Sequence, residues 1–334
     1  MATITDVATA AGVAPSTVSY VLSGKRSISA ETRRRVEQTI RELDYRPYAP
    51  RSSANRPRKL MAVMMPVPAG ENLPMPLEFV AAASQQARAH DHDVLLLTNE
   101  PGPDGIRRPG VPASPVDSVV VLDVGRFDPR LPMLRTLTQS VVLIGVPDRS
   151  SGLTCVDLDF TAAGAVCVRH LADLGHRHVA LIGPPPSAWR RGSSFAGRFL
   201  SGFTSAVAER DLYAVVRPCE PFQQGARVCL DNAFRRQPRT TALVVLNDAA
   251  LPSVLAELKR RGQRVPADVS VIAVCPDHLA EAQPTPLTSV TVPTAQLGTT
   301  AVDLAMHQLK RATVPEVRLL PATLTERAST AAPR

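Results

Sequence analysis

From residue 60 onward the sequence alternates between short, almost wholly apolar runs and longer amphipathic stretches. The runs are LMAVMMP (60–66), DVLLLTN (93–99), SVVVLD (118–123), SVVLIGVP (140–147), HVALIGP (178–184), ALVVLN (242–247) and VSVIAV (269–274). Short apolar runs without polar alternation describe strands buried on both faces, the pattern of parallel sheets. Between them lie helical patterns at 76–90, 160–175, 201–211, 249–262 and 294–312. Strands that alternate with helices predict the α/β class, with doubly wound parallel sheets, and the length accommodates two of them. No apolar run approaches the roughly 18 residues of a membrane span, so no membrane contact is expected.

The first 59 residues are different. They carry eleven Lys and Arg against five Asp and Glu, a net +6, whereas the other 275 residues carry only +2 of the total +8. A small basic head on a nearly neutral body is the electrostatic footprint of a nucleic-acid binder. A solvated helix face gives the same charge, so charge alone decides nothing.

The head reads as three short helices. Thr3 and Asp6 form a capping box, and Ile4, Val7, Ala8 and Ala11 share one face. Gly12 ends this helix where a positive φ is needed. Pro15 opens the second helix at a position where no amide hydrogen is missed. Val18, Val21 and Leu22 point inward, leaving Ser16, Thr17, Ser19 and Tyr20 outward. Ser29 caps the third helix, whose inner face holds Val36, Ile40 and Leu43. Two helices joined by a tight Gly-containing turn make a helix-turn-helix, all α. The turn fixes the angle of the second helix, so that its first residues reach base edges in a major groove, while hydroxyls at its N-terminus suit phosphate oxygens. An ordinary three-helix bundle shows the same periodicity.

The string ATITDVATAAGVAPSTVSYVLSGKRSISAETRRRVEQTIRELDYRP (2–47) resembles, nearly without gaps, the DNA-binding head of the LacI family of bacterial transcription regulators. The resemblance places base-reading side chains at Pro15 and Ser16, with Tyr20 one turn later. It places Thr5, Thr17, Ser19, Ser23, Lys25, Arg26 and Arg33 near backbone-contact positions. Ala14 stands where the family usually has a Ser cap. Pro15 offers a base no hydrogen bond, so specificity leans on Ser16, Tyr20 and DNA shape. The domain boundaries implied are a head at 1–46, a hinge at 47–59 and a body at 60–330. The hinge is rich in Pro and Ser and basic, a linker by composition. The family wedges a hinge Leu into the minor groove; here Pro50, Arg51, Ser52, Ser53 and Ala54 supply none. Arg51 and Ser53 are the DNA contacts expected there, with a weaker central kink.

The body resembles the family's periplasmic-binding-protein-like effector domain through VDLDFTAAGAVCVRHLADLGHRHVALIG, LVVLNDAA, RVPADVSVIAV and PLTSVTVPTAQLGTTAV. That fold implies an N-subdomain at about 60–158 and 288–312, and a C-subdomain at about 159–287 and 313–330. A small molecule, often a sugar in the family, binds between them at the strand ends. The expected effector contacts are Asp148, Trp189, Arg190, Arg198, Asn247, Asp248 and Asp277, with Arg191 beside them. Phe199 holds the place of the usual family Arg, with Arg198 one further back, and Cys275-Pro276 replaces the usual Asp.

The implied function is a sequence-specific DNA-binding regulator, a repressor by expectation, acting as a homodimer on a pseudo-palindromic double-stranded operator in the cytoplasm. Two rivals stand beside it: a solute-binding protein of a transporter, and an α/β enzyme with a DNA anchor. No nucleophile–base set, GxGxxG, Walker A or GxSxG string is present, so no cofactor or enzymatic activity is expected. His176-Arg177-His178 and His90-Asp91-His92 have paired-His spacing but no partners to complete a metal set. The five cysteines form no CxxC pair and read as buried free thiols in a reducing compartment.

Overall fold

Thr3 begins the first helix as its pattern requires: its Oγ1 accepts from the Asp6 amide at 3.3 Å, and Asp6 Oδ2 accepts from the Thr3 amide at 2.7 Å. This computed structural model describes residues 3–23, 26, 28–43, 45, 59–66, 74–98, 116–149, 152–311 and 313–334. The chain divides into two compact units, Met1–Pro57 and Arg58–Arg334.

The first unit holds α1 (Ile4–Ala10), α2 (Pro15–Ser23) and α3 (Ala30–Glu42). Gly12 closes α1 with φ +62°, and the Thr32 amide donates to Ser29 Oγ at the start of α3. Val7, Ala8, Ala11, Val18, Val21 and Val36 form its core, with Ile4, Leu22 and Ile40 packed against them. Leu43 departs from the expected inner face: it caps α3 and is exposed, because the helix ends before its last turn returns to the core.

The second unit contains two six-stranded sheets. In the first, β1 (Lys59–Met64), β2 (His92–Leu97), β3 (Val116–Val121), β4 (Ser140–Ile144), β5 (Thr154–Leu158) and β11 (Val317–Leu320) run in the order β2-β1-β3-β4-β5-β11, all parallel. In the second, β6 (His178–Gly183), β7 (Tyr213–Pro218), β8 (Ala242–Val245), β9 (Ser270–Cys275), β10 (Thr288–Thr291) and β12 (Leu324–Thr325) run in the order β7-β6-β8-β9-β10-β12. Only β12 is antiparallel there. Both sheets repeat one doubly wound order, with switch points between β1 and β3 and between β6 and β8. Burial follows position: the central β4 and β9 are buried throughout, while the edge strands β2, β7 and β11 are half exposed.

Helices cover the faces. α4 (Pro74–Ala89) and α12 (Thr294–Lys310) pack together on the first sheet; α6 (Phe160–Asp173) and α8 (Ser194–Glu209) pack together on the second. α9 (Gln223–Arg236) and α10 (Leu251–Arg260) cover its other face. Short helices α5 (Leu131–Leu134), α7 (Pro186–Arg191) and α11 (Asp277–Glu281) complete the unit. The chain crosses between sheets after β5, after β10 and after β11.

These crossings correct the expected subdomain boundaries. β10 (288–291) pairs with β9, so it belongs to the C-subdomain, and the second N-subdomain segment runs from α12 through β11, about 294–320. Only β12 and the chain end return to the C-subdomain. The sequence misplaces them because TSVT is rich in hydroxyls and VRLL lies at an exposed edge. The expected hinge also loses Lys59 to β1, while residues 46–58 lie outside the described residues.

α6 and α8 approach closely at two glycines. A Cβ on Gly164 would run into the backbone of Phe199, and one on Gly202 into the carbonyl of Thr161. Neither obstacle is a flexible side chain, so the helices would have to separate. Gly202→Ala is expected to lower stability by at least about 2 kcal/mol, measured as the midpoint shift in urea denaturation; an unchanged midpoint would show that the pair can yield.

Candidate binding cleft and nucleic-acid interface

A cavity of about 210 Å³ lies between the two sheets of the second unit. Its walls are the C-terminal ends of β1, β3, β4, β6, β8 and β9, with α4 and α12 from one side and the starts of α6 and α8 from the other. Both topological switch points open onto it, where parallel α/β sheets bind ligands. Met65, Met75, Phe79, Phe160, Phe195 and Leu297 make most of the wall apolar.

Backbone pairing closes one side. The Arg126 amide donates to Gly192 O at 2.8 Å and the Ser194 amide to Val124 O at 3.1 Å, an antiparallel bridge between Gly125 and Ser193. Arg191 reaches Asp123 at 3.8 Å beside it. Asp123 has φ +52°, a left-handed conformation that Asp adopts more readily than most residues. The loop behind it is braced by a buried ion pair: Arg130 donates to Asp128 at 2.7 and 2.9 Å, and also to the carbonyls of Leu122 and Asp123. On the other side, His278 lies 3.1 Å from Glu78, which also accepts from Thr294 Oγ1 at 2.7 Å.

Two carboxylates line the interior. Burial pushes Asp157 up to about 7, against the pull of Arg198, whose guanidinium donates to it at 3.1 Å. Burial likewise pushes Asp248 up to about 6, and nearby Glu78 adds to this. The amides of Ala249 and of Asp248 itself favour its charge, yet Asp248 Oδ2 is buried with no hydrogen-bond partner.

Of the expected effector contacts, Asn247, Asp248 and the neighbouring Arg191 line the cavity. Asn247 is already engaged: its Nδ2 donates to Cys219 O at 2.7 Å and its Oδ1 accepts from the Ala250 amide. Arg198 stands behind the wall, holding Asp157. The remaining four lie elsewhere. Asp148 makes a surface pair with Arg126, and Arg190 is exposed on α7. Trp189 packs on Gly183 and donates to Pro184 O at 3.0 Å. Asp277 accepts from Arg327 and Thr291 and braces the chain end. Strand-end position marks all four in the sequence, and it does not say which way a loop turns. Asp123, Asp157, Ser193 and Ser194 escaped the sequence reading; a charged residue inside an otherwise apolar TCVDL strand was the available signal for Asp157.

On the first unit Thr5, Pro15, Ser16, Ser19, Arg26 and Arg33 are exposed, and Thr17 and Tyr20 are half-buried. The Arg26 guanidinium sits 5.8 Å from the Tyr20 ring centre, so the aromatic and its cation share one surface. Ser23 ends α2. Lys25, Arg51 and Ser53 lie outside the described residues. Of the paired histidines, His176 hydrogen-bonds Thr241, Ser270 and Ala331 O, and His90 meets Asp303 at 3.0 Å. All five cysteines are free and buried.

The family model for bacterial regulatory proteins of the lacI family matches residues 3–48, and that for the periplasmic binding protein-like domain matches 168–330. The chain belongs to the lacI family. Among its relatives, the HTH-type transcriptional regulator AglR of Rhizobium meliloti (strain 1021) is 29% identical over 333 residues, covering 96% of this chain and 91% of that one. The HTH-type transcriptional regulator CelR of Thermobifida fusca is 28% identical, covering 95% of each. A solved CelR–cellobiose complex has a TM-score of 0.69 at 26% identity, covering 98% of this chain and all of that one. A lac repressor dimer bound to operator and an anti-inducer has a TM-score of 0.70 at 25% identity, covering 99% of each. This lacI-family chain is a DNA-binding transcriptional regulator. Among its described residues no helix is long and apolar enough to cross a membrane.

The Asp128–Arg130 pair yields a pH-dependent expectation. Burial alone would raise the Asp128 carboxyl, but the hydrogen bonds and charge of Arg130 outweigh it and hold the group below its ordinary value. Its contribution is therefore present above the unfolded carboxylate value and lost as pH falls through the lowered native one. Asp128→Ala strands a buried guanidinium and is expected to lower stability by about 3 kcal/mol at neutral pH. Urea midpoints across an acid series check this; a loss undiminished in acid would assign it to packing.

Proposed function

We propose that this regulator is a repressor that binds a pseudo-palindromic operator as a homodimer and is controlled by a small molecule in the cleft between its subdomains. The cavity at both switch points carries this reading: it is walled by both sheets, so a ligand there contacts two bodies that can move against each other. Operator affinity changes with ligand by a coupling free energy on the order of 1–3 kcal/mol. α2 supplies the base-reading face through Ser16 and Tyr20, while Thr5, Arg26 and Arg33 contact phosphates, as does Lys25 by resemblance; in the hinge Arg51 enters the minor groove and Ser53 contacts the DNA beside it. Two-fold protein symmetry matches two half-sites. The exposed Leu77, Leu95 and Leu96 on α4 and the edge strand β2 offer apolar surface for a second copy. Neither an enzymatic activity nor a cofactor has a role in this reading, and a DNA-binding protein of this kind works in the cytoplasm.

The test is fluorescence anisotropy with DNA from the promoter region of its own gene and with scrambled DNA. Tyr20→Ala is expected to cut operator affinity by about tenfold, with little effect on scrambled DNA. Equal losses on both would remove Tyr20 from base reading. Arg33→Ala is expected to weaken both alike and to flatten the salt dependence by about one unit in log–log slope; an unchanged slope would take Arg33 off the phosphates.

A further inference from the structure

The two subdomains meet at a shared cation. Asp157 stands near the end of β5 on the first sheet, just before the chain crosses to α6 on the second. It lines the cavity and is almost wholly enclosed. Arg198, on α8 of the other subdomain, donates to Asp157 Oδ2 at 3.1 Å. The same guanidinium lies 3.9 Å from Asp159 Oδ1. Asp159 caps α6 by accepting from the Ala162 amide at 3.0 Å, and α6 packs on α8. Arg198 therefore has two carboxylates within reach, one across the seam and one on its own subdomain.

A carboxylate taken out of water needs donors, and Asp157 has Arg198, the Leu158 amide at 2.9 Å and the Val146 amide. Burial still outweighs them and pushes the carboxyl up to about 7, with Asp159 adding to the rise. The surrounding elements bring little other charge to bear. β4 carries only apolar and hydroxyl side chains. On β11, Arg318 pairs with Glu316 at 2.8 Å. α12 turns Asp303, His307 and Lys310 to solvent. The remaining charged residues of α6 and α8 lie toward the far ends of those helices. On β5 itself burial pushes Cys155 up to about 12, so it stays neutral. Elsewhere in the lining stand Asp123, which Arg191 meets at 3.8 Å, and Asp248.

We propose that closure of the cleft is proton-linked at this pair: the closed form holds a proton on Asp157, and opening releases it to water as Arg198 passes to Asp159. Opening admits water to the cavity wall and so removes the burial that disfavours the charged carboxylate. The cation is not stranded, because Asp159 moves with it. A state that holds a proton more tightly gains population as pH falls, so acid closes the cleft and alkali opens it. This goes beyond the effector reading and requires no ligand.

The experiment follows hydrogen exchange of the full chain by mass spectrometry from about pH 6 to about pH 8.5. The segments read are those with the Arg126 and Ser194 amides, which bond across the cleft mouth. Each rate is divided by the intrinsic amide rate at its pH. The corrected rate is expected to rise at least about fivefold over that range. Asp157→Asn is neutral at every pH and is expected to remove most of the rise, whereas Asp248 and the Glu78–His278 pair keep their own contributions. Arg198→Gln removes the charge that holds the carboxyl down, so the midpoint is expected to move to higher pH. A corrected rate that does not change with pH in the unaltered chain overturns the proposal without any variant. An undiminished rise in Asp157→Asn, or an unmoved midpoint in Arg198→Gln, overturns it as well. A closure step that leaves promoter-DNA affinity unchanged over the same range supports the proton linkage and counts against control of the head by the cleft.

Discussion

Two backbone hydrogen bonds across the cleft mouth, Arg126 N to Gly192 O and Ser194 N to Val124 O, fix the spacing of the two subdomains on one side. They join the segment after β3 to the elbow between α7 and α8, and so set where Asp123, Arg191 and Ser194 stand. Main-chain bonds of this kind contribute about 1 kcal/mol each net of water. Two of them, with an exposed ion pair worth about 1 kcal/mol or less beside them, amount to the same order as an allosteric coupling of 1–3 kcal/mol. The closure is therefore weak enough for one ligand to shift. Backbone shape does the rest: Gly192 caps α7 at φ +68°, and Gly145, at φ +124°, leaves no room for a Cβ beside Val124. The buried Asp128–Arg130 pair holds the donor loop in register.

The interior wall depends on packing further back. α6 and α8 both start at the cleft, with Phe160 and Ser194 in its lining, and their approach is set by Gly164 and Gly202 well away from it. α4 and α12 do the same from the other sheet through Gly298, which faces the backbone of Phe79. A tightly packed interior passes small displacements on rather than absorbing them. The cavity shape is thus a property of four helices, and only secondarily of the residues that touch the ligand.

The head was legible almost residue by residue. Capping at Thr3 and Ser29, the turn at Gly12 and the core of Val7, Val18 and Val36 all follow from local rules that tertiary context does not override. In the body the long apolar runs mark seven of the twelve strands among the described residues, and all of these but the edge strand β2 are buried on both faces or nearly so. The strands missed were TCVDL, YAVVRP, TSVT, VRLL and LT, which carry polar residues because they lie at sheet edges, end at the cleft or pair with the chain terminus. The cleft was less legible for a related reason. Spacing places a residue at a strand end but not the direction of the loop beyond it. Asp148 and Asp277 turned to Arg126 and Arg327, partners 22 and 50 residues away in sequence. Asp157 was hidden because a buried charge inside a strand breaks the pattern by which strands are found.

β1 gives the cleft a mechanical connection to the end of the body that leads back to the head. The strand begins at Lys59 and its far end delivers Met65 to the ligand cavity. At its start the Leu60 amide donates to Asp117 Oδ2 at 3.0 Å, with His92 3.9 Å from the same carboxylate. β2 and β3 flank it on both sides in parallel register. An extended strand rises about 3.3 Å per residue and has no slack to take up a displacement. A ligand that draws the two sheets together therefore moves β1 with its whole sheet. The displacement reaches Lys59 as rotation of a rigid body, not as a local change in the strand. A ligand in the proposed effector cavity can thus act on Lys59 from the opposite end of the strand.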